Sequence, residues 1–198
     1  QDNNTIAKAV NEFATSYSSL ITLLRTNTKY DDATKTAGTL QGDGTAVGIL
    51  NQLRATVGGT AGNSSVFTTL SSIGVEVQSG GTLTVNSTKL TNALGKLTEV
   101  KKLFSNADLS DSSKDGAATK LRTLASSMLG FDGSLTSRTA GLKKSILDNQ
   151  KRQDELDSRA ALYEKRLRAQ YTALDQNMAG LTSTSNYVTQ MITNWNKS

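Results

Sequence analysis

The chain has 198 residues and a formal net charge of +5, from 22 Lys and Arg against 17 Asp and Glu, with no His, Cys or Pro. That length suits one ordinary domain or two small ones. Without Cys there are no disulfides, thiolate metal sites or cysteine nucleophiles; without His, a zinc site and a Ser-His-Asp triad are excluded.

The absence of Pro permits long unbroken helices. Hydrophobic residues make up 36% and aromatics 5%. Both are low for a compact enzyme and fit an elongated molecule with more surface per residue. Charges of both signs are intermixed, which reads as solvated helix faces before it reads as a nucleic-acid footprint. No uncharged apolar run is long enough to span a bilayer, and no signal-peptide pattern occurs. A route out of the cell would therefore be one that needs no cleaved leader. The opening "QDNNTIAKAV" reads as a chain entered in mid-domain.

The first helix is expected to start at Thr5 as N-cap, with a seam of Ile6, Val10, Phe13, Tyr17, Leu20 and Leu24 in steps of four and three. "TNTKYDDATKTAGTLQGDGT" carries turn chemistry throughout and reads as a long ordered loop. Thr45 or Asp43 then caps a short helix with Ile49, Leu50, Leu53 and Val57 on one side, and "GGTAGNSS" reads as a flexible connector. In "LSSIGVEVQSGGTLTVN", Ile73, Val75 and Val77 alternate with polar residues and "QSGG" supplies a turn. Leu83 and Val85 alternate on the return, so a β-hairpin is expected. Such a hairpin is marginal alone and must pack on helices.

Ser87 is expected to cap a helix with Leu90, Leu94, Leu97 and Val100 inward, ending near Phe104. "SNADLSDSSKDG" is a loop, and another helix follows over about Ala117 to Leu129. From about Ser137 the helical pattern does not stop. Leu142, Ile146, Asn149, Gln153, Leu156, Ala160, Tyr163 and Leu167 follow the four-three rule. An extra step of four to Tyr171 is a stutter, after which Leu174, Met178, Leu181, Ser185, Val188, Ile192 and Trp195 resume the seam. The expected fold class is mainly α: an elongated helical bundle or coiled coil with a long C-terminal helix and one small β-hairpin near 73–85.

A helix of ~60 residues is ~90 Å long. The other helices are shorter, and are expected to cover it only before about Tyr163. An apolar side chain left in water forgoes ~1.5–3 kcal/mol. The end of the helix is therefore expected to fold against a helix that this sequence does not contain: one from the N-terminal part of its own protein, the pair then packing against neighbouring chains.

Several motifs carry less than they suggest. "GDGTAVG" matches neither phosphate-loop pattern and no strand precedes it. "DLSDSSKDG" resembles the start of a calcium loop, but Arg122 stands where the bidentate Glu is required. Asn149 and Gln153 are register-setting polar seam residues. Tyr187 and Trp195 suit a membrane interface, but the polar face there has almost no Lys or Arg.

Four stretches in order, "TKYDDATKTAGTLQGDGT", "SSIGVEVQSGGTLTVNSTKLTNAL", "LFSNADLSDSSKDGAATKL" and "YEKRLRAQYTALDQNMAGLTSTSNYVTQM", resemble the C-terminal part of the bacterial flagellar filament-capping family, the hook-associated protein 2 family. The resemblance implies a helical leg domain over 1–167 and a terminal coiled-coil assembly segment over 168–198. It implies a secreted motility protein at the extracellular tip of the flagellum. That protein would form a ring-shaped homo-oligomer and promote flagellin polymerisation. Its implied partners are itself, flagellin, hook–filament junction proteins and an export chaperone, with no cofactor, metal, nucleic acid, small-molecule substrate or enzymatic activity. Helix-to-helix contacts are expected from Tyr171, Leu174, Met178, Leu181, Val188, Ile192 and Trp195. The competing readings are another axial protein, such as flagellin, and a secreted adhesin or membrane-interacting translocator with a coiled-coil stalk. Cell adhesion, in the family reading, belongs to head domains that are absent from this chain.

Overall fold

The structure, a computed structural model, describes residues 2–196. The described chain divides into two compact units, Gln1–Thr139 and Ala140–Ser198. The mainly α expectation holds, with two small antiparallel hairpins instead of one.

In the first unit, α1 (Asn3–Thr28) is capped by Asp2. Asp2 accepts from the Asn4 backbone N–H at 3.0 Å and from the Thr5 hydroxyl at 3.1 Å. Thr5, expected as the cap, therefore lies one turn inside the helix. A carboxylate serves the exposed N–H groups better than a hydroxyl and also matches the helix dipole. α1 buries Val10, Ala14, Tyr17 and Ile21. The expected seam packs inward at Val10, Phe13, Tyr17 and Leu24, whereas Leu20 is 42% exposed and its neighbour Ile21 is fully buried instead. A straight helix of 3.6 residues per turn drifts off a strict seven-residue repeat in this way.

The stretch expected as a loop contains a hairpin of two-residue strands, β1 (Tyr30–Asp31) and β2 (Thr36–Ala37). It is folded back onto the end of α1 by Gly38 N–H to Lys29 O and Leu40 N–H to Asn27 O, at 2.9 and 2.7 Å. α2 (Gly44–Gly58) is capped by Asp43, which accepts from Thr45 and Ala46 N–H at 2.9 and 3.0 Å. α2 buries Ala46, Leu50, Leu53 and Val57.

The expected flexible connector after α2 is pinned instead. Ala61 N–H donates to Thr68 O and Gly62 N–H to Asp115 O, at 2.9 and 2.8 Å. Gly62 has φ +71°, and a Cβ there would run into the Lys102 carbonyl. Only glycine fits that left-handed, close approach.

A 3₁₀ turn (Leu70–Ile73) leads into β3 (Val75–Val77), which pairs with β4 (Leu83–Val85) in the register Val75↔Val85 and Val77↔Leu83. Val75 and Leu83 are buried against the helices. Ser18 of α1 stitches the hairpin down: its hydroxyl accepts from Leu83 N–H at 2.8 Å and donates to Leu83 O at 3.3 Å.

The single helix expected after Ser87 is two, α3 (Ser87–Leu94) and α4 (Leu97–Ser105). Asn86, not Ser87, caps α3, accepting from Lys89 N–H at 3.0 Å. Gly95 ends α3, and Lys96 supplies no side-chain cap to α4. A second 3₁₀ turn (Ser112–Lys114) precedes α5 (Ala117–Leu129), whose limits match the sequence reading. The core cluster joins α1 to α5 and the β3–β4 hairpin, and runs from Val10 to Ala117.

α6 (Ser134–Trp195) is continuous over 62 residues and contains no buried residue. Leu142, Ile146, Leu156 and Tyr163, expected to lie under the middle helices, are all exposed.

Candidate assembly interface

At 1.5 Å per residue, a 62-residue helix spans about 93 Å. Its second half is where the sequence places the contact residues. Leu174, Met178, Leu181, Val188 and Ile192 recur in steps of three and four, apart from the polar Ser185, and so share one face. Their exposures run from 48% at Val188 to 67% at Leu181. Tyr171 precedes them and Trp195 follows, the latter 82% exposed. All seven candidate residues thus lie on accessible surface along one helix.

The threonines beside this face turn their hydroxyls inward. Thr182 donates to Met178 O at 2.9 Å, Thr184 to Gly180 O at 3.0 Å, and Thr189 to Ser185 O at 2.8 Å. Threonine is a weak helix former, but this back-bonding satisfies the hydroxyl without water. The hydroxyls of Thr182 and Thr184 can then enter an interface with little polar desolvation. Gly180 stays helical, with open space where a Cβ would stand.

Upstream, the face is charged at its margins. Glu164 Oε1 accepts from Arg168 Nη2 at 2.6 Å, and the Arg166 guanidinium lies 5.4 Å from the centre of the Tyr163 ring. Such exposed pairs stiffen a helix by only ~0.2–0.5 kcal/mol each.

The seam reading missed Leu162, Tyr187 and Met191, which are exposed beside it. A period of 3.6 instead of 3.5 would have included them in a broader stripe. It also missed Phe131, almost fully exposed in the turn after α5. In the first unit a groove of about 400 Å³ runs between α1, α4 and α5, walled by Ile6, Phe13, Leu97 and Phe104. Phe13 and Phe104 meet edge to face at 5.9 Å.

Among the described residues there is no cluster of three or more His, Cys, Asp or Glu placed to hold a metal ion. No helix among them is long and apolar enough to cross a membrane.

Comparison with known proteins supplies the lineage. The family profile described as the flagellar hook-associated protein 2 C-terminus matches residues 1–183. The chain is 31% identical to flagellar hook-associated protein 2 of Escherichia coli O157:H7, over 98% of this chain and 43% of that protein. It is 29% identical to the Salmonella typhimurium protein of the same name, over 100% of this chain and 43% of that protein. The chain therefore spans about two-fifths of the length of these relatives. Among solved structures, the D1-D2-D3 domains of the flagellar cap protein FliD from Escherichia coli superpose with a TM-score of 0.60. They are 31% identical, over 71% of this chain and 37% of that one. The match to the family over most of the chain, on a helical unit followed by one long uncovered helix, places this protein in the flagellar hook-associated protein 2 family, within its C-terminal region.

Proposed function

We propose that this chain is the leg-and-tail part of a flagellar filament cap, a structural assembly protein that oligomerises at the filament tip and promotes flagellin polymerisation. The observation that carries the reading is the apolar stripe from Tyr171 to Ile192, exposed along its whole length. Each large side chain left in water forgoes ~1.5–3 kcal/mol of available burial. A stripe of that length is suited to seating neighbouring chains. On this reading residues 168–198 are the assembly segment, and Tyr171, Leu174, Met178, Leu181, Val188, Ile192 and Trp195 make helix-to-helix contacts. The partners are other copies in a ring, flagellin, the hook–filament junction proteins and an export chaperone. The site is extracellular, at the flagellum tip, and the work is assembly without catalysis.

Truncation after Arg168, made in the whole protein of a motile host, tests this. The first unit is expected to keep its melting temperature while filament growth and swimming are lost. Filaments of normal length from the truncated protein would remove the basis of the proposal.

A further inference from the structure

We propose that the concavity at the end of α1 seats a carboxylate carried by a partner protein. The inference goes beyond the assembly reading and does not depend on the α6 stripe. Thr22, Arg25, Thr26 and the C-cap Lys29 stand at i, i+3, i+4 and i+7, and so share one face of α1. With Tyr30 and Asp31 of β1 they line a concavity of about 340 Å³.

The donors gathered there are not used within the chain. Neither Arg25 nor Lys29 has a side-chain hydrogen bond or an ion pair among the described residues, and Arg25 Nε is buried without an acceptor. Thr28, nearby on the same helix, turns its hydroxyl back to Leu24 O at 2.7 Å. The hydroxyls of Thr22 and Thr26 donate to no acceptor among the described residues. Arg25 is nonetheless held in place, because its Nη1 occupies the space in which a Cβ on Gly80 would stand. Cations in a last turn also offset the helix dipole, but that role asks for neither a concavity nor free hydroxyls.

A guanidinium fork with hydroxyls beside it fits an oxyanion. Asp31, on the same rim, decides the charge of that ligand. Its Oδ1 is tied to its own turn by the Ala33 N–H at 3.0 Å, so it remains a negative charge beside two positive ones. The single net positive charge matches a carboxylate and disfavours a dianion such as phosphate. The lining is mostly exposed, too open to enclose a small free acid. A second concavity of about 720 Å³ shares Thr22 and Thr26 and continues along α1 past Ser19 and Leu23 to Leu83. A segment of another protein lying in that trough brings the extra contact that a lone carboxylate lacks.

Titration of the full, isotope-labelled chain at low salt, followed by amide NMR, tests this with four probes: acetyl-Ala-Glu-Ala-amide, its Gln counterpart, acetate and inorganic phosphate. The Glu peptide is expected to shift the amides from Thr22 to Lys29 saturably. The Gln peptide is expected to bind about tenfold more weakly, the scale of one charge-assisted hydrogen bond. Equal binding of the two peptides, or binding of neither, overturns the proposal. Acetate as tight as the Glu peptide would make the ligand a free acid, and phosphate as tight would make it a dianion; either result also overturns it. Arg25→Gln removes the fork but also its packing on Gly80, so the exposed Lys29→Gln is the cleaner variant. It is expected to leave the amide spectrum of the core unchanged and to weaken the Glu peptide about tenfold. Full affinity in that folded variant would sink the site.

Discussion

Leu90 and Leu174 sit on helices of the same one-sided design, yet Leu90 is 1% exposed and Leu174 54%. In the first unit, α1 to α5 and a hairpin close over one another's apolar faces. In α6 the same periodicity falls on exposed residues. The difference teaches that spacing shows which residues seek burial, whereas length and the supply of partners decide where that burial happens.

The sharpest way to break the comparison is to place a charge in each region. Leu90→Asp leaves an unpaired carboxylate in a closed core and is expected to unfold the first unit, since truncation alone at such sites costs ~2–5 kcal/mol. Leu174→Asp is expected to change stability by no more than ~0.5 kcal/mol while abolishing self-association. Circular-dichroism melts and sedimentation read the two effects. Equal melting shifts would erase the contrast.

Two glycines offer a smaller version. Gly62→Ala must hold a left-handed backbone against the Lys102 carbonyl, and should lower stability by ~2 kcal/mol or more. Gly180→Ala points into open space. It should raise local helix stability by ~1 kcal/mol, visible as slower amide exchange near Gly180. A gain from the first or a loss from the second would contradict the packing described.

Acid should separate the regions as well. Glu99 is held at a pKa of about 2, chiefly by hydrogen bonds from Lys102 and Ser64, with the Ser65 N–H adding to them. Lys102 Nζ and the Ser64 hydroxyl approach at 2.8 and 2.7 Å. Its unfolded value lies higher, so the stabilisation is present above about pH 4.5 and is lost as pH falls towards about 2. Glu99→Gln should flatten the acid limb of the first unit's melting curve between those values and leave the helicity of α6 unchanged. An unaltered acid limb would show that the carboxylate is not the titrating group.

Much of this was legible in the sequence for physical reasons. α5 and the long α6 are defined by local periodicity, and the β3–β4 hairpin by alternation around a glycine turn. The candidate stripe was legible for the same reason, since an amphipathic face is local information. What escaped depends on distant groups. The segment from Gly58 to Ser65 reads as a connector because its anchors lie far along the chain: Gly62 N–H donates to Asp115 O, and the Ser64 hydroxyl and Ser65 N–H donate to Glu99. Such pairings leave no local signature. The α3–α4 break at Gly95 escaped because Leu94, Leu97 and Val100 keep helical spacing across it. The cap at Asp2 escaped because Thr5 is also an acceptable cap, and only geometry ranks them.

The Ser18 hydroxyl has a consequence for solubility in a crowded setting. The outward N–H and C=O of Leu83 on β4 are both engaged by that one side chain. A short sheet with bare outer groups invites a foreign strand to zip alongside, and from there a fibre. Here a helix residue occupies the docking rail. If many copies gather at one place, as proposed above, Leu83 offers no bare outer groups from which an unwanted polymer could be templated.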